Sequence, residues 1–147
     1  MKKLPLFNIS PGWKLLLSDI GIDPIEILKR AELPADLFAL KDAKLTTKEY
    51  FRLWQSMEVT FDNPSFPLEL IKNISTEIFD PPVFSAYCSQ NLNQALKRLS
   101  QFKPLIGPVK LDIEATDEST KLTLRFMEKE LEPPIALIGA ELNFLYN

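Results

Sequence analysis

A chain of 147 residues with 17 basic and 20 acidic side chains, a formal charge of -3 and 46% hydrophobic residues can bury a core as one globular domain. It has no histidine, one cysteine and four scattered glycines, which excludes histidine-based nucleophile relays, imidazole metal sites, an internal disulfide, Cys-x-x-Cys zinc sites and glycine-rich phosphate loops. Residues 1–60 carry nine basic and eight acidic groups and residues 61–147 eight and twelve, so neither half has the positive surplus of a nucleic-acid binder.

Met1 to Phe7 opens with charge like a signal peptide, but its apolar part is short and broken by Pro5, and no apolar run approaches the roughly 18 residues that span a bilayer. The reading is a cytoplasmic protein with no membrane partner. A free Cys88 in a segment expected to be buried agrees with a reducing compartment.

Ser10-Pro11 caps a short helix whose Trp13, Leu16, Leu17 and Ile20 share one face, and Gly21 supplies its left-handed stop. Asp23-Pro24-Ile25-Glu26 repeats the device and predicts a second helix to about Ala31, closed by Leu33-Pro34. Ala35 to Leu40 reads as a turn and loop. Thr46 to Glu49 has capping-box spacing before Tyr50, Leu53, Trp54, Met57 and Phe61, which predicts a helix over about 47–60. Asp62-Asn63-Pro64 is a turn, and Leu68 to Ile74 forms another helix.

Asp80-Pro81-Pro82 interrupts, and Val83, Phe84, Tyr87 and Cys88 read as buried turns. Asn91 caps a longer helix with the stripe Leu92, Ala95, Leu96, Leu99 and Phe102, ending near Lys103-Pro104. The period then changes to two: Val109, Leu111, Ile113 and Ala115 alternate with polar residues, as do Leu122, Leu124 and Phe126, giving a β-hairpin with one apolar face. Pro133-Pro134 starts a last helix with Ile135, Ile138, Leu142 and Leu145 on one stripe and Leu137 and Phe144 on a second.

The fold class is therefore α+β: a mostly helical N-terminal part, a β-hairpin and a terminal helix, in a single domain over residues 1–147. A two-stranded hairpin leaves its edges open, and the last helix is still apolar at Asn147. The sheet is thus expected to be incomplete in this chain, with its remaining partners in a second copy or in further sequence.

Carboxylate pairs are the only common hydrolytic chemistry left. Asp112 with Glu114, Asp117 with Glu118, and Glu128, Glu130 and Glu132 all sit on a polar strand face, a turn or an acidic run, where such groups are solvated surface. No catalytic residue, metal site or cofactor is assigned, and the chain is read as no enzyme. Trp54, Tyr87 and Phe102 are the candidates for contact with a small molecule; Trp54 and Tyr87 each join a flat apolar body to a polar atom that needs a partner when buried. Lys97, Arg98, Lys103 and Lys110 cluster around the end of the long helix; the helix dipole accounts for Lys103 and Arg98 without any ligand, and an anionic effector is the alternative for the cluster. Ile138, Leu142 and Leu145, beside Gly139-Ala140, are the candidates for contact with a second copy.

An ordered set of fragments carries a resemblance. Gly21-Ile22-Asp23, then Leu28, Ala31 and Leu33-Pro34, Leu45 with Tyr50 and Leu53-Trp54, Thr60 to Pro64, Leu68, and Ser89 to Leu96 with Leu99 and Phe102, resemble the N-terminal effector domains of one branch of the AraC-type bacterial transcriptional regulators. That branch is often labelled the arabinose-binding domain, yet it looks unlike the sugar-binding β-barrel of the arabinose regulator, so the label implies no sugar. The chain has Ala31-Glu32-Leu33-Pro34 where such domains read Ala-Gly-Leu-Pro, and Asn91 where the cap is often threonine.

The resemblance implies a regulatory domain that senses a small-molecule effector, pairs with a second copy, or both, and so controls sequence-specific DNA binding by a helix-turn-helix module. Nothing after Phe126 could supply that module, so the resemblance reads this chain as a regulator cut within or just after its sensing domain, with DNA as a partner only through the absent part. The alternative is a stand-alone homodimeric interaction domain.

Overall fold

The computed structural model describes residues 6–63, 65–72 and 88–146, with the side chains of Phe102, Ile106 and residues 142–146 outside the description. In chain order these form β1 (Leu6–Asn8), α1 (Gly12–Asp19), α2 (Pro24–Arg30), a 3₁₀ turn (Leu37–Ala39), β2 (Lys44–Thr46), α3 (Thr47–Phe61), α4 (Phe66–Lys72), α5 (Leu92–Ile106), β3 (Val109–Ala115), β4 (Thr120–Phe126) and α6 (Ile135–Tyr146). The α+β reading with an incomplete sheet holds: the strands form two separate antiparallel pairs, β1 with β2 and β3 with β4. The buried turns expected around Val83, Phe84 and Tyr87 lie outside the described residues, whereas Cys88, expected to be buried, is exposed.

Local capping signals set most helix ends. At α1 and α2 the chain leaves the helix through the same double hydrogen bond: Ile22 N donates to Leu17 O and Gly21 N to Ser18 O in the first, Leu33 N to Leu28 O and Glu32 N to Lys29 O in the second. Both need a left-handed residue. Gly21 meets the need at φ 82°, and Glu32 meets it at φ 57° with a side chain, in the place where the resembling domains carry glycine. The α3 capping box forms as spaced, with Glu49 N donating to Thr46 Oγ1 (3.2 Å) and Thr46 N to Glu49 Oε1 (3.0 Å).

Three elements differ from the sequence reading. The β1–β2 pair was not foreseen, because three residues are too few for an alternation to register; what fixes it is burial of Phe7 opposite Leu45. The long helix α5 runs through Pro104 to Ile106 instead of stopping at Lys103. Asn8 Nδ2 reaches from β1 to the Leu105 carbonyl (3.0 Å) and satisfies an acceptor at the extended end. Of the stripe expected on α5, Leu96 is buried but Leu92 is 68% exposed.

The terminal helix begins at Ile135, and its orientation was not legible. Ala136, Leu137 and Ala140 face the core, with Gly139 close against Pro67 of α4, where a Cβ would lie 3.1 Å from the proline ring. The small pair Gly139-Ala140, read as room for a second copy, therefore serves packing within the chain. Ile135 (84% exposed) and Ile138 (36%) point outward. Lys103, read as a helix-dipole cation, is ion-paired with Glu141 at 2.6 Å and ties α5 to α6.

One core joins α1 to α4, the 3₁₀ turn and α6, built on Leu17, Ile27, Leu28, Leu53, Met57, Phe66, Leu70 and Leu137. The hairpin packs its apolar face on α5 and enters this core through Phe126, whose ring meets Phe51 edge-on at 5.3 Å.

Candidate functional site

The helix α3 gathers most of what could act. Its face at Tyr50 and Trp54 meets Phe7 of β1, Trp13 of α1 and Phe66 of α4. Phe7 stacks on Tyr50 at 4.1 Å, Trp13 meets Trp54 edge-on at 5.5 Å, and Tyr50 and Phe66 lie 6.4 and 6.5 Å from Trp54. Trp54 is 3% exposed, and its indole Nε1–H has no hydrogen-bond acceptor among the described residues. Thr47 Oγ1, two helical turns back toward the same side, is also buried without a partner among the described residues. A buried N–H left unpaired costs about 1–3 kcal/mol, so Trp54 holds unspent polar capacity in an otherwise apolar cluster.

One turn beyond Trp54, Glu58 performs a different task. Because Pro133 and Pro134 offer no capping side chain, α6 lacks a local N-cap; Glu58 Oε1 supplies it across 78 residues by accepting from Ala136 N at 2.5 Å. A cleft of about 240 Å³ opens beside this bond, lined by Glu58, Asp62, Asn63, Phe66, Pro67, Ile135 and Ala136. Phe66 thus forms the wall of the cleft on one side and part of the Trp54 cluster on the other. A third polar link on α3, Ser56 Oγ to Ile27 O at 2.8 Å, pins α2 to the same helix.

Of the residues singled out for ligand contact, Trp54 lies at the centre of the aromatic cluster; Tyr87 lies outside the described residues, and only the backbone of Phe102 is described, on α5. Of those singled out for a second copy, Ile138 is on the outward side of α6, while Leu142 and Leu145 are on the same helix with side chains outside the description. Sequence reasoning missed Glu58 and Thr47. The signal for Glu58 was the proline pair itself, which removes every local cap from an apolar helix. No sequence signal names the distant residue that replaces it.

Asp112 is ion-paired with Arg125 across the hairpin, and Arg98 Nη1 donates to Ser89 Oγ at 3.0 Å. Among the described residues no three metal-ligating side chains converge, and no helix is long and apolar enough to cross a membrane.

Comparison with known proteins identifies the lineage. Two curated relatives are 24% identical over 134 residues, the HTH-type transcriptional regulator VirS of Mycobacterium tuberculosis strain CDC 1551 / Oshkosh and that of strain ATCC 25618 / H37Rv. The alignment covers 90% of this chain and 39% of each relative, so the chain spans about two fifths of their length. A family described as the arabinose-binding domain of AraC transcription regulator, N-terminal, matches residues 21–146. That match takes in every helix from α2 onward and the hairpin; the chain belongs to the N-terminal, arabinose-binding-domain family of AraC-type transcription regulators.

Proposed function

We propose that this chain is a regulatory domain that takes a small-molecule effector against the aromatic cluster at Trp54 and passes its bound state along α3 to the terminal helix. The observation that carries the reading is the Trp54 Nε1–H, buried without an acceptor among flat apolar rings. An effector with an apolar body and one hydrogen-bond acceptor would meet that N–H, and Tyr87 and Phe102 are proposed as further contacts. Four residues on, Glu58 caps α6, so a shift of α3 at Trp54 changes the seating of the helix that follows the hairpin.

The output is control of sequence-specific DNA binding by a helix-turn-helix module outside this chain, as the names of the relatives suggest. Ile138, continued along α6 by Leu142 and Leu145, is the proposed surface for a second copy. A stand-alone homodimeric interaction domain is the second reading, favoured by the outward Ile135 and Ile138.

The test is a thermal-shift titration of the chain with matched ketone, amide and carboxylate compounds of apolar body, repeated on Trp54→Phe. Because that substitution deletes an unsatisfied N–H, it should change stability by less than about 1 kcal/mol while abolishing the ligand-induced shift. Ligand shifts that persist unchanged in Trp54→Phe would remove the indole from the site and the reading with it.

A further inference from the structure

We infer that the open edge of β4 is a self-complementary surface on which a second copy of this chain adds its own β4, antiparallel, with Leu124 on the twofold axis. The hairpin register decides which backbone groups are available. Met127 N donates to Pro108 O and Thr116 N to Ser119 O, and with Lys110 opposite Arg125 and Asp112 opposite Thr123 these are the pairs that bond across the hairpin. Leu122, Leu124 and Phe126 therefore turn their N–H and C=O groups away from β3, and among the described residues nothing bonds to them. The opposite edge of the hairpin is already touched, since Ser100 Oγ of α5 donates to Leu111 O at 2.9 Å.

Charge and side-chain type then select the register. Centring the twofold on Thr123 would set Lys121 against Arg125 of the copy, and moving it toward either end sets Glu118 or Glu128 against a leucine or phenylalanine. Centring on Leu124 opposes Leu122 to Phe126, Leu124 to itself, Thr123 to Arg125 and Lys121 to Met127: apolar meets apolar on the inner face, and between Lys121 and Met127 no like charges face each other. The twofold pairing also consumes the β4 edge on both copies. Adding any other strand of this chain there would leave a fresh edge and propagate. The product is a four-stranded sheet, β3-β4-β4-β3, with a continuous apolar inner face.

Phe126 joins the hairpin to the core, so the experiment uses Lys121, Thr123 and Met127, which alternate with it along β4, and leaves the Trp54 cluster unaltered. In a Cys88→Ser background, Lys121→Cys and Met127→Cys, both at exposed positions, are mixed and mildly oxidised; a cross-linked dimer is expected from the mixture and from neither variant alone. Thr123→Lys, which keeps Asp112 opposite it within the hairpin but faces Arg125 of the copy, should weaken association on the order of tenfold by sedimentation. Ile138→Glu should leave that association in place. An assembly larger than a dimer that Thr123→Lys reduces to a dimer supports the β4 surface alongside one on α6. The inference is overturned by a chain that stays monomeric at high concentration, by no cross-link in the mixture, or by a dimer lost in Ile138→Glu and untouched by Thr123→Lys.

Discussion

Replacing Glu58 by alanine should loosen the terminal helix before it affects the rest of the fold. The carboxylate accepts from Ala136 N at 2.5 Å, at a helix start where two prolines leave no local substitute. Loss of an N-cap costs about 0.5–2 kcal/mol, and the charged acceptor at the positive end of a helix adds about 0.3–1 kcal/mol. Glu58 is only half-buried, so solvent screening holds the total to about 1–2 kcal/mol. For a chain of this size that is a fall in Tm of about 3–8 °C. Glu58→Gln keeps an acceptor and drops the charge, so it should lose about half as much. Urea denaturation gives the stability, and amide exchange gives the location: Ala136 and Leu137 should exchange faster while Leu53 and Met57 in the middle of α3 do not. A Glu58→Ala protein within about 0.5 kcal/mol of the parent, or one that loses protection evenly, would refute the cap and the path from α3 to α6 built on it.

Two more perturbations test the frame around the site. Gly107→Ala places a methyl group on the Phe7 ring, which cannot move aside because it stacks on Tyr50 at 4.1 Å; a loss of about 1–3 kcal/mol in denaturant unfolding is expected, and a neutral result would show that β1 is not held as described. Glu32→Gly should stabilise by roughly 0.5–1 kcal/mol, since the left-handed strain of a side chain at φ 57° outweighs the added freedom of glycine in the unfolded chain; a lower Tm would contradict the turn geometry.

The contrast between Glu32 and Glu58 explains what the sequence discloses and what it hides. Helix starts at Asp23, Thr46 and Asn91 were readable because each cap bonds within three residues: Ile25 N to Asp23 Oδ1, Glu49 N to Thr46 Oγ1 and Gln94 N to Asn91 Oδ1. The hairpin was readable because a period of two over seven residues has one meaning. Once the neighbour lies far along the chain, pattern stops helping. The stripe Ile135, Ile138, Leu142 and Leu145 and the stripe of Leu137 are equally good helix faces, and which turns inward depends on Pro67 meeting Gly139, on Glu58 meeting Ala136 and on Lys103 meeting Glu141.

All three contacts fall on α6, and two of them are polar links to helices that also border the aromatic cluster or the hairpin. A helix held only by apolar area can slide with little penalty. One held by a tertiary cap at its start and an ion pair midway has a defined register, and leaving it means breaking charged bonds together. The register of α6 is therefore set from α3 and α5, and on the proposed reading an effector that biases α3 by the worth of the Glu58 bond would change what α6 presents at Ile135 and Ile138.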